Sequence, residues 1–182
     1  AKGFIKSFAG SHRYVLDYLI EEVLEQQSES VQSFLLCTSI LSRLTGPLCD
    51  AVRGASCKDT GQEDGQATLG MLDRTNLFIV PLDNERCWYR YHHLFADVLH
   101  AHLLQEQPEQ APALHRRASQ WYEENGEPAR AIHHALAARD YERAAGLIEL
   151  ARPAMDNGFQ SAIWLRWARA LPDELLRTRP VL

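Results

Sequence analysis

The stretch YRYHHLFADVL, residues 89–99, sets two adjacent histidines between an aromatic run and an apolar-periodic one. Near neutral pH an imidazole can ligate a metal, move a proton or donate an N–H to an anion. If a helix begins near His92, a 100° step per residue gathers Leu94, Phe95, Val98, Leu99 and Leu103 on one broad face, with His92 at its edge. His93 falls on the other side with Asp97 and His100. A helical metal site needs ligands one turn apart. His93 and His100 are two turns apart, about 10 Å along the axis, and His100 and His102 face different directions, so no i, i+4 ligand pair forms and no metal is expected. On the residues alone, His92 is a helix-start histidine with its ring nitrogens satisfied by backbone, and His93 is solvated.

Other chemistries find less support. No GxxxxGK[ST] occurs, and GASCKDT and GQEDGQA lack its spacing, so the chain has no phosphate cradle and should not hydrolyse ATP by itself. SHRYVLD holds the residue types of a hydrolase triad, but Ser11 is better placed as a helix cap. Cys37, Cys49, Cys57 and Cys87 contain no CxxC pair and read as reduced, structural thiols. The chain is therefore read as no enzyme, with no catalytic residue and no cofactor of its own.

The elements that would position the histidines are mostly helices. At 182 residues and 46% hydrophobic, the chain can bury one large or two small cores. Its longest apolar runs are too short to span a membrane and its N-terminus lacks a secretory signal, which points to the cytoplasm. The net charge of −5 argues against broad adhesion to nucleic acid or anionic membrane. SHRYVLDYLIEEVLEQQ carries one apolar stripe from Val15 to Leu24; SESVQSFLLCTSIL follows, capped by Ser28 or Ser30; TGPLCDAVRG is a short helix capped by Thr45, with Pro47 in its first turn and Gly54 past its end. Residues 55–66 read as a polar loop before a third helix in ATLGMLDRTN. LFIVPL and RCWYRY, separated by DNE, read as a hairpin with Pro81 on an exposed edge.

Three helices and a hairpin make a winged helix, whose third helix often reads DNA. Here residues 61–76 hold Glu63, Asp64 and Asp73 against Arg74 alone, a local charge of −2, and offer bases mainly Gln66, Arg74 and Asn76. An internal protein module is the better reading, with no DNA-binding residue in this chain. After Pro108 the pattern is helical hairpins: Leu114, Ala118, Trp121 and Tyr122 share one helix, Asn125 and Gly126 break it, and an alanine-rich second helix follows. NGEPARAI and NGFQSAIW repeat an Asn-Gly turn with the glycines 32 residues apart, a period that suggests tetratricopeptide-like stacking. Trp164 and Trp167 are as readily packing residues as ligand contacts. Pro180 looks like the lead into another helix, so the chain reads as a fragment.

The segments FAGSHRYVLDYLIEEVLEQQSESVQSFLLCTSILSRLTGPLCDAVRG, TNLFIVPLD, WYRYHHLFADVL and LHRRASQWYEENGEPARAIHHALAARDYERAAGLIE, in that order, resemble the central region of the MalT-type, LuxR-family ATP-dependent transcriptional regulators, bacterial members of the STAND class of signal-transduction NTPases. The resemblance implies a mainly α fold: the end of a helical segment over residues 1–27, a winged-helix domain with a short β-hairpin over 28–107, and tetratricopeptide-like α-hairpins over 108–182. It also implies a function in signal transduction, as the arm that couples nucleotide state and inducer sensing to transcription activation. The full-length protein would be a signalling ATPase using ATP or ADP with Mg. Its implied partners are the protein's own nucleotide-binding domain, a small-molecule or protein inducer on the superhelix, DNA only through a C-terminal domain absent here, no membrane, and further copies of itself on activation. Related proteins carry a Met-His-Asp-like motif after the wing whose histidine contacts the β-phosphate of ADP. YHHL matches His92 to that histidine and Leu94 to the leucine after the motif, while His93 departs from its aspartate. The alternative is a helical-repeat scaffold for protein partners with no nucleotide role.

Overall fold

Glu29–Thr38 forms helix α1, and its inward face of Phe34, Leu35, Cys37 and Thr38 begins the core of the first of two units, Ala1–Pro108 and Glu109–Leu182. The computed structural model describes residues 19–54, 64–157 and 161–179. Residues 1–18, with Ser11 and the first half of the first expected helix, Cys57, most of the expected polar loop, Gly158 of the second Asn-Gly turn and Pro180 lie outside the described residues. Among the described residues no helix is long and apolar enough to cross a membrane.

In the first unit, a π-helical segment, Leu19–Leu24, packs on α4 (His93–Glu106), and α1 also packs on α4. Helix α2 is Gly46–Arg53 and α3 is Gly65–Arg74. Ser28 and Thr45 occupy the N-cap positions of α1 and α2, but neither hydroxyl makes the expected cap bond; Ser28 instead meets the Ser30 hydroxyl at 3.1 Å. Helix α3 starts two residues earlier than its apolar pattern suggests. The Asp64 carboxylate accepts the Gln66 N–H and caps it there, while two glycines let α2 and α3 meet. A Cβ on Gly46 would lie 2.7 Å from Gln66 Cβ, and one on Gly65 would lie 2.8 Å from the Gly46 carbonyl oxygen.

The wing is an antiparallel pair, β1 (Ile79–Pro81) and β2 (Tyr89–Tyr91), in the register Ile79 to Tyr91 and Pro81 to Tyr89, with Pro81 exposed. Both strands are shorter than the apolar runs containing them. The Asp83 carboxylate accepts the amides of Cys87 (2.9 Å) and Trp88 (3.1 Å), turning the chain before the ladder can extend. Leu44, just before α2, adds a third backbone partner by exchanging hydrogen bonds of 2.7 and 2.9 Å with Tyr89. Cys37 and Cys49 are buried and Cys87 is exposed, none of the three in a disulfide among the described residues, and burial pushes the Cys49 thiol pKa up.

In the second unit α5 (Gln110–Glu124) packs on α6 (Pro128–Ala137), α6 on α7 (Tyr141–Asn157) and α7 on α8 (Ser161–Ala168), followed by α9 (Asp173–Thr178). Fully buried Ala118, Ala131, Ala135, Ala144 and Ala145 allow the helices close approach around Tyr122, Ile132 and Ile148. Asn125 and Gly126 break the chain as expected, with Gly126 at φ +72°. The stretch read as one alanine-rich second helix is two. Arg139 at φ +55° ends α6, the Asp140 amide closes back on Ala135 O at 3.0 Å, and the Asp140 carboxylate then accepts the Arg143 amide at the start of α7.

Candidate functional site

Tyr89 and Tyr91 point inward from β2 while Arg90 points out, so the strand delivers the next residue, His92, to the core's edge. The Tyr91 hydroxyl lies 2.7 Å from Thr38 Oγ1, whose own hydroxyl donates to Phe34 O at 2.7 Å, anchoring the strand end to α1. Burial first, and then the field of Cys49, raise the Tyr91 phenol pKa, while the bond to Thr38 partly offsets the rise. The Tyr91 ring meets Phe95 edge-on with centroids 5.9 Å apart, and Phe95 packs on Phe78 at 5.2 Å. Phe78, at φ +51°, turns its carbonyl to accept the His92 N–H at 2.7 Å.

His92 is thereby held at the N-cap of α4, its carbonyl accepting the first helical bond from Ala96 at 2.9 Å. Its half-buried side chain makes no cap bond, and its ring lies over the exposed His93 ring with centroids 4.4 Å apart. The expectation that backbone groups satisfy the His92 ring is thus corrected: among the described residues its nitrogens have no hydrogen-bond partner. No acidic residue stands in the first turn of this 14-residue helix, so the partial positive charge of its N-terminus is uncompensated. Free helix-end amides beside two imidazoles that can donate N–H groups can accept an anionic oxygen. Leu94 is half-buried, and the buried face of α4 is Phe95, Val98, Leu99 and Leu103.

The other candidates are dispersed. Gln66, a possible base reader by sequence, is occupied: its carbonyl accepts the Gly46 N–H at 3.0 Å and its amide donates to Arg86 O at 2.8 Å. Asp73 on α3 pairs with Arg86 of the wing at 2.9 Å, and Asn76 serves as the left-handed residue that ends α3. Among the described residues no three His, Cys, Asp or Glu side chains gather to hold a metal. Sequence reasoning passed over a second histidine pair. His115 on α5 and His134 on α6 are buried with their Nδ1 atoms 2.8 Å apart, and His134 stacks on Tyr122. The only available signal was that each occupies an i, i+3/i+4 position among small apolar residues.

Residues 20–111 match the family described as MalT winged helix domain. Over 179 residues, 98% of this chain, the sequence is 30% identical to proteins named serine/threonine-protein kinase PknK from two strains of Mycobacterium tuberculosis and from Mycobacterium bovis. The chain spans only 16% of the length of those curated relatives. The family match runs from the segment before α1 through the wing and α4 into the first residues of α5, so the chain belongs to the MalT winged helix domain family.

Proposed function

We propose that this chain is the regulatory arm of a bacterial, ATP-dependent LuxR-type regulator of the STAND class, in which His92 senses the nucleotide. The observation that carries the reading is the His92 ring, placed at an uncompensated helix N-terminus by strand β2 and the Phe78 carbonyl yet left without a hydrogen-bond partner among the described residues. A nucleotide-binding domain elsewhere in the protein would hold ADP or ATP with Mg, and His92 would donate an N–H to a phosphate oxygen of ADP, tying the winged helix to that domain at rest. Inducer on the helical unit, together with ATP, favours an open, self-associating state, each ligand acting only through its different affinity for the two states. The engaged Gln66 amide and the Asp73–Arg86 pair support a winged helix used internally rather than against DNA bases.

The test is tightly bound ADP in the purified protein carrying its nucleotide-binding domain. His92→Ala should lower ADP affinity about tenfold or more, the usual scale of a hydrogen bond to a charged group, and raise inducer-free activity. Unchanged ADP retention with unchanged basal activity would sink the proposal. A second reading follows from the relatives named as serine/threonine-protein kinases: the same arm governs a kinase rather than a DNA-binding domain. A phosphoryl-transfer assay on the whole protein separates the two outputs.

A further inference from the structure

The turn between α6 and α7 and the turn between α8 and α9 border a cleft of about 550 Å3, within the size range of small-molecule sites. Most of its charges are already paired. Arg116 Nε lies 2.8 Å from Asp140 Oδ2, and that hydrogen bond leads the causes holding the Asp140 carboxyl below the usual carboxylate range. Glu142 is taken by Arg179, which also pairs with Glu149 and so ties the end of α9 to α7. Three polar groups remain on the walls with no ion pair or hydrogen bond among the described residues: the Arg139 guanidinium, the Tyr141 hydroxyl and the Glu174 carboxylate. Pro172 and Leu175 add apolar surface beside them.

Arg139 occupies a backbone position that chemistry alone would give to another residue. Three of the described helices end in the same left-handed turn, the amide after the left-handed residue closing back on Leu72 O, Tyr122 O and Ala135 O. The left-handed residues are Asn76, Gly126 and Arg139. Asn and Gly tolerate this conformation, whereas a long unbranched cation does so at a cost in backbone energy. The residue with the side chain least suited to the turn is the one that faces the cleft.

We propose that this cleft binds a small zwitterion, a free amino acid or a di- or tripeptide, with its carboxylate on Arg139 and Tyr141 and its ammonium on Glu174. A guanidinium and a phenol together suit a carboxylate, and an anion or a cation alone leaves one wall charge without a partner. The assignment rests on reading the helical unit as the inducer-sensing part, and names the ligand class sensed there; it does not depend on His92.

Calorimetric titration of the full chain with the common amino acids and with alanine- and glycine-based di- and tripeptides tests it, each probe also in N-acetyl and C-amide forms. At least one free zwitterion should bind, and its affinity should fall at least about tenfold for Arg139→Gly, for Glu174→Gln and for both blocked forms of that probe. Arg139→Gly relieves the turn, so its melting temperature should hold or rise while binding is lost, separating ligation from folding. Absence of binding by every free form up to about 10 mM, unchanged affinity in either variant, or equal binding of a blocked form would overturn the proposal. Failure here leaves the ADP measurement on His92 intact, and failure there leaves this site intact, because the two read different atoms and different ligands.

Discussion

His134 is buried on α6 with its Nδ1 facing His115 Nδ1 at 2.8 Å, a spacing that holds one proton between two neutral rings. Burial first, and then the positive fields of His115, His133 and Arg130, lower its pKa from 6.5 to about 3. Unfolded, the ring takes a proton near pH 6.5; folded, it refuses one until about pH 3. The stability this neutral pair contributes is therefore complete above pH 6.5 and drains away as pH falls toward 3, at no more than about 1.4 kcal/mol per pH unit. The melting temperature of the helical unit should drop between about pH 7 and pH 5, and the double change His115→Leu with His134→Leu should flatten that dependence. An equally steep pH profile in the double variant would show that other groups carry it. The His92 and His93 pair stood out because two imidazoles adjoin in the sequence, whereas the buried pair joins residues 19 positions apart and has no local signature.

Helix α3 owes its place to two glycines that act through space rather than through flexibility. Gly65→Ala should destabilise the winged-helix unit by about 1–3 kcal/mol, because the new methyl would meet the Gly46 carbonyl oxygen and the Asp50 carboxylate, both at 2.8 Å. Gly146→Ala, inside α7 with nothing within 4 Å of the added methyl, should stabilise by about 0.5–1 kcal/mol. Urea denaturation of the two variants checks both signs, and a neutral Gly65→Ala would show that α2 and α3 can shift apart. Most elements were legible from apolar spacing, and the Asn125–Gly126 turn from residue type. The break at Arg139 was not, because an arginine carries no turn signal; the bonds to Ala135 O and Leu136 O and the Asp140 side chain impose it. The strands were read too long because aromatic and β-branched runs report a tendency to extend, while the Asp83 carboxylate decides where the turn begins.

Across the whole molecule, a net charge of −5 and a third helix with its Gln66 amide already bonded give little to attract or read a duplex. Fluorescence anisotropy should detect no sequence-specific binding of duplex DNA by this chain at about 0.15 M salt; a specific complex whose affinity fell with Arg74→Ala would reverse the assignment of the winged helix as an internal module. The order of helices and hairpin, the apolar faces of α4 and α5, the absence of a P-loop motif and the prominence of His92 were all determined by the sequence alone. Each depends on interactions within about one or two helical turns, or on composition, and both can be read along the chain. The tertiary structure alone decided that Thr38 meets Tyr91 across 53 positions, that His115 meets His134, that Gln66 spans from Gly46 to the wing, and that the His92 ring has no hydrogen-bond partner among the described residues. Those outcomes depend on which distant surfaces come into contact once the core closes, and no local preference of a residue encodes its long-range partner.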